Sequence, residues 1–250
     1  FALVPPTSNS NGLITYTSSN LAVATVLAGV VTIVGVSTST ITAIQSSSTN
    51  FLSGTITATI TVNPVTTVLT NFSAITKTFG NDAFTVTPPT TNSTGDFTYT
   101  SSNTAVATIT DNMVTIVGGG NTTITASQAS TSNYTSATVT AILTVNPIRT
   151  VLSNFSAITK IPGDASFNLV NPTTNSDGAF TYTSSNPAVA TIDGNTVTIV
   201  GRGTSTITAI QQSTSNYSSE TIRATLQVSP IITVLSNFSA ITKTFGDTNF

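Results

Sequence analysis

The amino-acid sequence predicts an all-β protein made of tandem β-sandwiches, with about seven strands in each 83-residue repeat. Three observations carry the prediction. Apolar and polar residues alternate at period two, which sends one side of each short run into a core and the other into water. Turn clusters such as NPTTNSDG and STSNYSS separate the runs. The pattern then recurs every 83 residues without a gap, so that Phe1, Phe84, Phe167 and Phe250 each open the same segment.

The elements follow in order. An opening phrase appears as TVLTNFSAITKTFGN from Thr67, TVLSNFSAITKIPGD from Thr150 and TVLSNFSAITKTFGD from Thr233 to Asp247, and it supplies the first strand of each sandwich. In the third copy a short piece at Phe167 to Val170 comes next, then strands at Phe180 to Ser184, Ala188 to Ile192, Thr196 to Val200 and Thr204 to Gln211. Asp193-Gly194-Asn195 forms a tight hairpin turn, because Gly and Asn accept the positive φ such turns demand. In the last strand Ile222, Ala224, Leu226 and Val228 face one way, and Thr221, Arg223, Thr225 and Gln227 the other. Val139, Ala141, Leu143 and Val145 repeat this in the second copy, and Ile56, Ala58, Ile60 and Val62 in the first. Abundant Thr and Val favour strands, and no helical periodicity competes. A β-solenoid would need a repeat of roughly 20 to 30 residues, and none exists inside the 83.

Composition excludes several function classes. Charged residues make up 6%, with 6 basic against 8 acidic, so no basic patch for nucleic acid or an anionic membrane is available. The chain has no His and no Cys, and Glu220 is its one glutamate, which removes the usual general bases, nucleophile activators and thiolate ligands. No catalytic residue, metal site or cofactor is expected. Asp82, Asp164 and Asp247 recur in a turn after Gly or Asn, where a side-chain bond to backbone accounts for them. Calcium would need several converging carboxylates. Lys77, Lys160 and Lys243 hold the same place in each opening phrase. An isopeptide bond to Asn would need a buried acid beside them, so solvated strand lysines that discourage edge pairing are the favoured reading. No run of 18 apolar residues suggests membrane insertion. The start FALVPPTSNS lacks an initiator Met and a signal-peptide pattern, which suggests a portion of something longer.

The stretch YTSSNPAVATIDGNTVTIVGRGTSTITA from Tyr182 resembles the bacterial Ig-like (group 2) repeat of intimin-type and invasin-type surface proteins. The matching residues are Ser185-Asn186 followed by Ala188-Val189-Ala190-Thr191, then Gly194, then the G-x-G-T-x-T-I-T-A run from Gly201 to Ala209. The resemblance covers every copy. It implies an Ig-like sandwich, an extracellular or cell-surface setting and a spacer or structural role. Low charge and uniform copies point to a fibre or stalk rather than a receptor-binding tip.

Boundaries are expected near Pro64, Pro147 and Pro230, where proline interrupts a ladder without needing its own N–H. The chain then divides into 1–64, a repeat lacking its first strand; 65–147 and 148–230, two complete repeats; and 231–250, the first strand of a following repeat. Short links imply a stiff rod. The open first repeat needs its missing strand, either from a continuing chain or from another subunit by donor-strand complementation. The expected partners are therefore copies of the chain itself, head to tail, forming an extracellular filament, sheath or stalk. The alternative is an adhesin stalk whose ligand-binding domain lies elsewhere. Val234, Leu235, Phe238 and Ile241 are the candidate strand anchors, with counterparts Val68, Leu69, Phe72 and Ile75, and Val151, Leu152, Phe155 and Ile158. The glycosylation sequon occurs at Asn71, Asn92, Asn121, Asn133, Asn154, Asn216 and Asn237, about as often as chance gives in so Ser/Thr-rich a chain. Asn71, Asn154 and Asn237 recur in the opening phrase and are the candidate glycan sites.

Overall fold

A computed structural model describes residues 1–248, and none of them is helical. The chain forms two compact units, Phe1–Asn146 and the residues from Pro147 onward. The first repeat contributes β1 (Ile14–Ser18), β2 (Ala24–Leu27), β3 (Val30–Ile33), β4 (Ser37–Gln45) and β5 (Gly54–Val62). The second contributes β6 (Leu69–Thr70), β7 (Ile75–Thr78), β8 (Phe84–Thr85), β9 (Thr90–Thr91), β10 (Phe97–Ser101), β11 (Ala107–Thr110), β12 (Met113–Ile116), β13 (Gly120–Gln128) and β14 (Ala137–Asn146). The third repeats the same nine as β15 (Leu152–Ser153), β16 (Ile158–Lys160), β17 (Phe167–Asn168), β18 (Thr173–Thr174), β19 (Phe180–Ser184), β20 (Ala190–Asp193), β21 (Thr196–Ile199), β22 (Gly203–Gln211) and β23 (Glu220–Val228).

Each later repeat is a sandwich. In the second, a four-stranded sheet β10-β13-β14-β7 faces β11-β12-β8, with β6-β9 as a separate ribbon. In the third, β19-β22-β23-β16 faces β20-β21-β17, with β15-β18 as the ribbon. The first repeat has only β1-β4-β5 and β2-β3. Neighbours are antiparallel except that the opening strand runs parallel to the last, pairing Ile75 with Leu143 and Ile158 with Leu226.

The period-two alternation meets in the middle of each sandwich. Ile124 and Leu143 from one sheet and Ala107 and Val114 from the other are fully buried, as are Ile207, Leu226, Ala190 and Val197 in the third repeat. Burying one such Leu or Ile contributes about 1.5–3 kcal/mol. The predicted hairpin is present: Asp193 pairs with Thr196 across Gly194-Asn195, and Gly194 has φ 58°.

Polar residues inside the sandwiches are matched to specific partners. Thr122 Oγ1 lies 2.8 Å from Ser101 Oγ and accepts the Asn103 N–H at 2.9 Å; Ser205 serves Ser184 and Asn186 in the same way. Asn103 Oδ1 in turn accepts the Ala105 N–H, and Asn186 Oδ1 the Ala188 N–H. The Ser-Ser-Asn of the recurring motif thus folds a tight corner between β10 and β11 and between β19 and β20. Tyr182 donates to Asn171 Oδ1 at 2.7 Å, whereas Tyr16 and Tyr99 bury hydroxyls without a partner.

Gly178 sits where any side chain would strike the backbone: a Cβ there would lie 2.0 Å from the carbonyl oxygen of Gln212. Neither group is the flexible end of a side chain, so the clash is relieved only by moving a strand. Gly178→Ala is expected to destabilise the third repeat by about 3 kcal/mol, measurable as a lowered calorimetric melting temperature against Gly194→Ala as a turn control.

Candidate strand-docking site

The opening phrase occupies the same environment in both complete copies. Thr67 and Thr150 point inward at 6% and 0% exposure, and their hydroxyls donate to the carbonyl oxygens of Thr135 and Ser218. Val68 and Val151 point outward, at 54% and 60% exposure. Their backbone N–H groups donate to Asn92 Oδ1 at 2.9 Å and Asn175 Oδ1 at 2.8 Å. Leu69 and Leu152, half-buried, begin the ribbon strands β6 and β15.

The phrase does not form the single strand expected from sequence. Asn71 and Asn154 each adopt φ 59°, a left-handed conformation that breaks the ladder and moves the chain from the ribbon to the large sheet. Asn tolerates this geometry better than most residues. Their side-chain amides then donate to Thr90 Oγ1 at 3.2 Å and Thr173 Oγ1 at 3.0 Å. This accounts for the recurring Asn without a glycan.

Beyond the break, Phe72 and Ile75 pack on the core cluster that includes Val86, Leu143 and Val145, and Phe155 and Ile158 pack on the cluster holding Leu226 and Val228. Lys77 places its ammonium 4.5 Å from the centre of the Phe84 ring, and Lys160 lies 4.6 Å from that of Phe167. These lysines therefore cover an aromatic face, a contact that sequence reading had not foreseen. The phrase ends in a turn in which Asn81 Oδ1 accepts the Thr78 N–H at 2.9 Å and Asp164 Oδ2 accepts the Ile161 N–H at 3.0 Å. The repeating turn position is therefore 81, 164 and 247, and Asp82 lies one residue past it; Asn81 makes the same bond as the aspartates.

The third repeat adds an ion pair of its own. Arg149 donates to Glu220 Oε2 at 3.1 Å, and the arginine side chain is 82% exposed. The Thr221 N–H and then Arg149 hold the Glu220 carboxyl below its ordinary value. Among the described residues, no three His, Cys, Asp or Glu side chains converge.

The two ends of the chain differ from these complete copies. Residues 231–248 form no strand. Val234, Leu235, Phe238 and Ile241 are 81%, 89%, 92% and 61% exposed. The local conformation of the phrase is nevertheless kept. Asn237 has φ 63°, Gly246 has φ 102°, and the Thr244 N–H donates to Asp247 Oδ2 at 2.9 Å. Asn249 and Phe250 lie outside the described residues.

At the other end, β5 has an unpaired edge. Ile56 is 60% exposed, Ala58 is exposed, and Ile60 and Val62 are only half-buried. The equivalents of Ile60 and Val62 in the later repeats, Leu143, Val145, Leu226 and Val228, are 2% exposed or less. Phe1 is held in the register of Phe84, its carbonyl accepting the Val31 N–H at 2.8 Å, but its ring is 64% exposed.

This is the architecture of a tandem Ig-like β-sandwich protein. Residues 174–213 match the family described as intimin, immunoglobulin-like domain. That match contains the stretch from Tyr182 to Ala209 and bears out the resemblance to bacterial Ig-like repeats. No curated protein matches the chain in sequence. Similar solved structures include Drosophila N-cadherin EC1-3, at 12% identity over 92% of this chain and 92% of that one, with a TM-score of 0.36. Domains 4 and 5 of the S-layer protein SbsC give 19% identity over 57% and 84%, with a TM-score of 0.25. An endo-fucoidan hydrolase of glycoside hydrolase family 107 gives 15% over 88% and 39%, with a TM-score of 0.29. At such scores the fold assignment rests on sheet order alone.

Proposed function

We propose that the chain is a structural protein of the cell exterior, in which tandem Ig-like repeats build a filament, sheath or stalk and each sandwich is closed by the opening phrase. One observation carries this reading. In both complete copies the phrase pairs in parallel with the last strand of its repeat, Ile75 beside Leu143 and Ile158 beside Leu226, and packs its Phe72 or Phe155 on the core. An open edge with apolar residues beside it favours association, and the phrase covers that edge. The strand comes to β5 from a continuing chain or from a neighbouring subunit. In both cases function resides in length, stiffness and end-to-end pairing rather than in chemistry.

A second reading, an adhesin stalk carrying a ligand-binding domain elsewhere, draws support from the intimin-type match at residues 174–213. Immunogold labelling of native material with an antibody to the third repeat tests both. Decoration of threads or stalks outside the cell is expected, and labelling confined to the cell interior overturns the proposal. Regularly spaced label along the whole thread favours the filament; label that stops short of a distinct tip favours the adhesin. Mass analysis of the denatured material then separates the two linkages: species near 25.5 kDa indicate donated strands, and much longer chains a continuous array.

A further inference from the structure

We infer that the free edges at β7 and β16 take up an extended acidic peptide, with an apolar side chain opposite Ile75 or Ile158 and a carboxylate opposite Lys77 or Lys160. The same cavity opens beside each edge. In the second repeat it measures about 320 Å³, and Phe72, Ile75, Lys77, Phe84 and Val86 line it. In the third it measures about 480 Å³, and its walls include Phe155, Ile158, Lys160, Phe167 and Leu169. Each of these residues lies 83 positions from its counterpart, so the two complete copies hold one recess in common. Sheet order accounts for it. β7 and β8 are the outermost strands of the two facing sheets, as are β16 and β17 in the third repeat, and the cavity lies between them.

Charge selects the occupant. Lys77 and Lys160 are half-buried, and each sets its ammonium over a phenylalanine ring. No acidic side chain lines either cavity, and the ion pair among the described residues joins Arg149 to Glu220 instead. A cation held in a largely apolar recess without a counter-ion attracts an anion more strongly than the same cation in open water. Strand geometry supplies the rest. Along one side β7 pairs with β14 and β16 with β23, which leaves the backbone groups of the other side open. An extended chain added there satisfies those groups, and its alternate side chains enter the recess, which is the strand-addition mode of peptide capture. Ile75 packs on the core cluster and Lys77 lies over Phe84, so both project to the cavity side of β7, two residues apart. Residues directly opposite on paired strands meet, and opposite charges placed so attract. The recognised pattern is therefore an apolar residue with Glu or Asp two positions away. The same lysine turns away basic strands, so it sets specificity along with affinity.

The probe is a fluorescein-labelled peptide, Ser-Thr-Leu-Thr-Glu-Thr-Ser with blocked ends, compared by fluorescence anisotropy with the same peptide carrying Gln for Glu. The Glu peptide is expected to bind the 250-residue chain about tenfold more tightly than the Gln peptide, as a hydrogen bond to a charged group gives. Lys77→Gln and Lys160→Gln combined in one chain should erase that preference. A lysine that only supports the fold would lower the melting temperature and leave the ratio of the two affinities where it was. Amide resonances of the isotope-labelled chain locate the site: the Glu peptide should shift those of β7 and β16 and spare those of β10 and β19, on the opposite edge of each large sheet. Equal affinity for the two peptides, a preference that survives both lysine changes, or shifts at β10 and β19 alone overturns the inference. Octanoate, an apolar acid with no peptide backbone, is the competing occupant. If it binds as tightly as the Glu peptide, the strand is not what the edge recognises and the peptide is overturned as partner.

Discussion

Phe155→Asp is expected to destabilise the third repeat by about 3 kcal/mol, whereas Phe238→Asp, the same change in the same phrase, is expected to leave thermal unfolding where it was. Phe155 packs on the cluster of Leu169, Val189, Leu226 and Val228, so its loss removes aromatic burial and sets a carboxylate against an apolar core. Phe238 is 92% exposed, so its replacement removes no buried surface among the described residues. Calorimetry on each variant checks both halves. A stability loss at Phe238 comparable to that at Phe155 would mean that the tail is already packed in solution.

Gln211→Leu should cost about 2–4 kcal/mol despite replacing a polar core residue with an apolar one of similar size. Gln211 is 1% exposed, donates to the carbonyls of Ser176 and Gly178 at 3.1 and 2.8 Å, and accepts from Thr174 Oγ1 at 2.5 Å. Leucine satisfies none of these: it takes the donor from two half-buried carbonyls and leaves the Thr174 hydroxyl only the Ser176 N–H it accepts. Gln128 makes the corresponding contacts with Ser93, Gly95 and Thr91, so Gln128→Leu should show a loss of similar size in the second repeat. Urea melts with the midpoint and slope both recorded would separate this loss from a change in the unfolded state.

Strands, their inward faces and the 83-residue module pattern were legible because alternation is a local property of the letters. Ala224, Leu226 and Val228 are buried as their parity requires. The same parity in Ala58, Ile60 and Val62 yields exposed or half-buried residues, since burial depends on a neighbouring strand as well as on the strand itself. Gln211 shares the parity of Ile207 and Ala209, and its place in the core could have been read from position had its polarity not argued against it. The division of the opening phrase into two strands was hidden, because only the backbone angle of Asn71 or Asn154 records it. Apolar character makes Val68 and Val151 the expected anchors, but the inward side belongs to Thr67 and Thr150, one residue earlier.

The parallel pairing of β16 with β23 has a mechanical consequence. Chain direction brings tension into the third repeat past the Ile148–Tyr217 bridge and the β15–β18 ribbon to the start of β16, and out at the end of β23, and β16 and β23 lie side by side pointing the same way. Pulling then slides them lengthwise past each other, so their hydrogen bonds are loaded together in shear rather than peeled one at a time. A fold closed in this manner resists stretching along the line on which a tether would carry load.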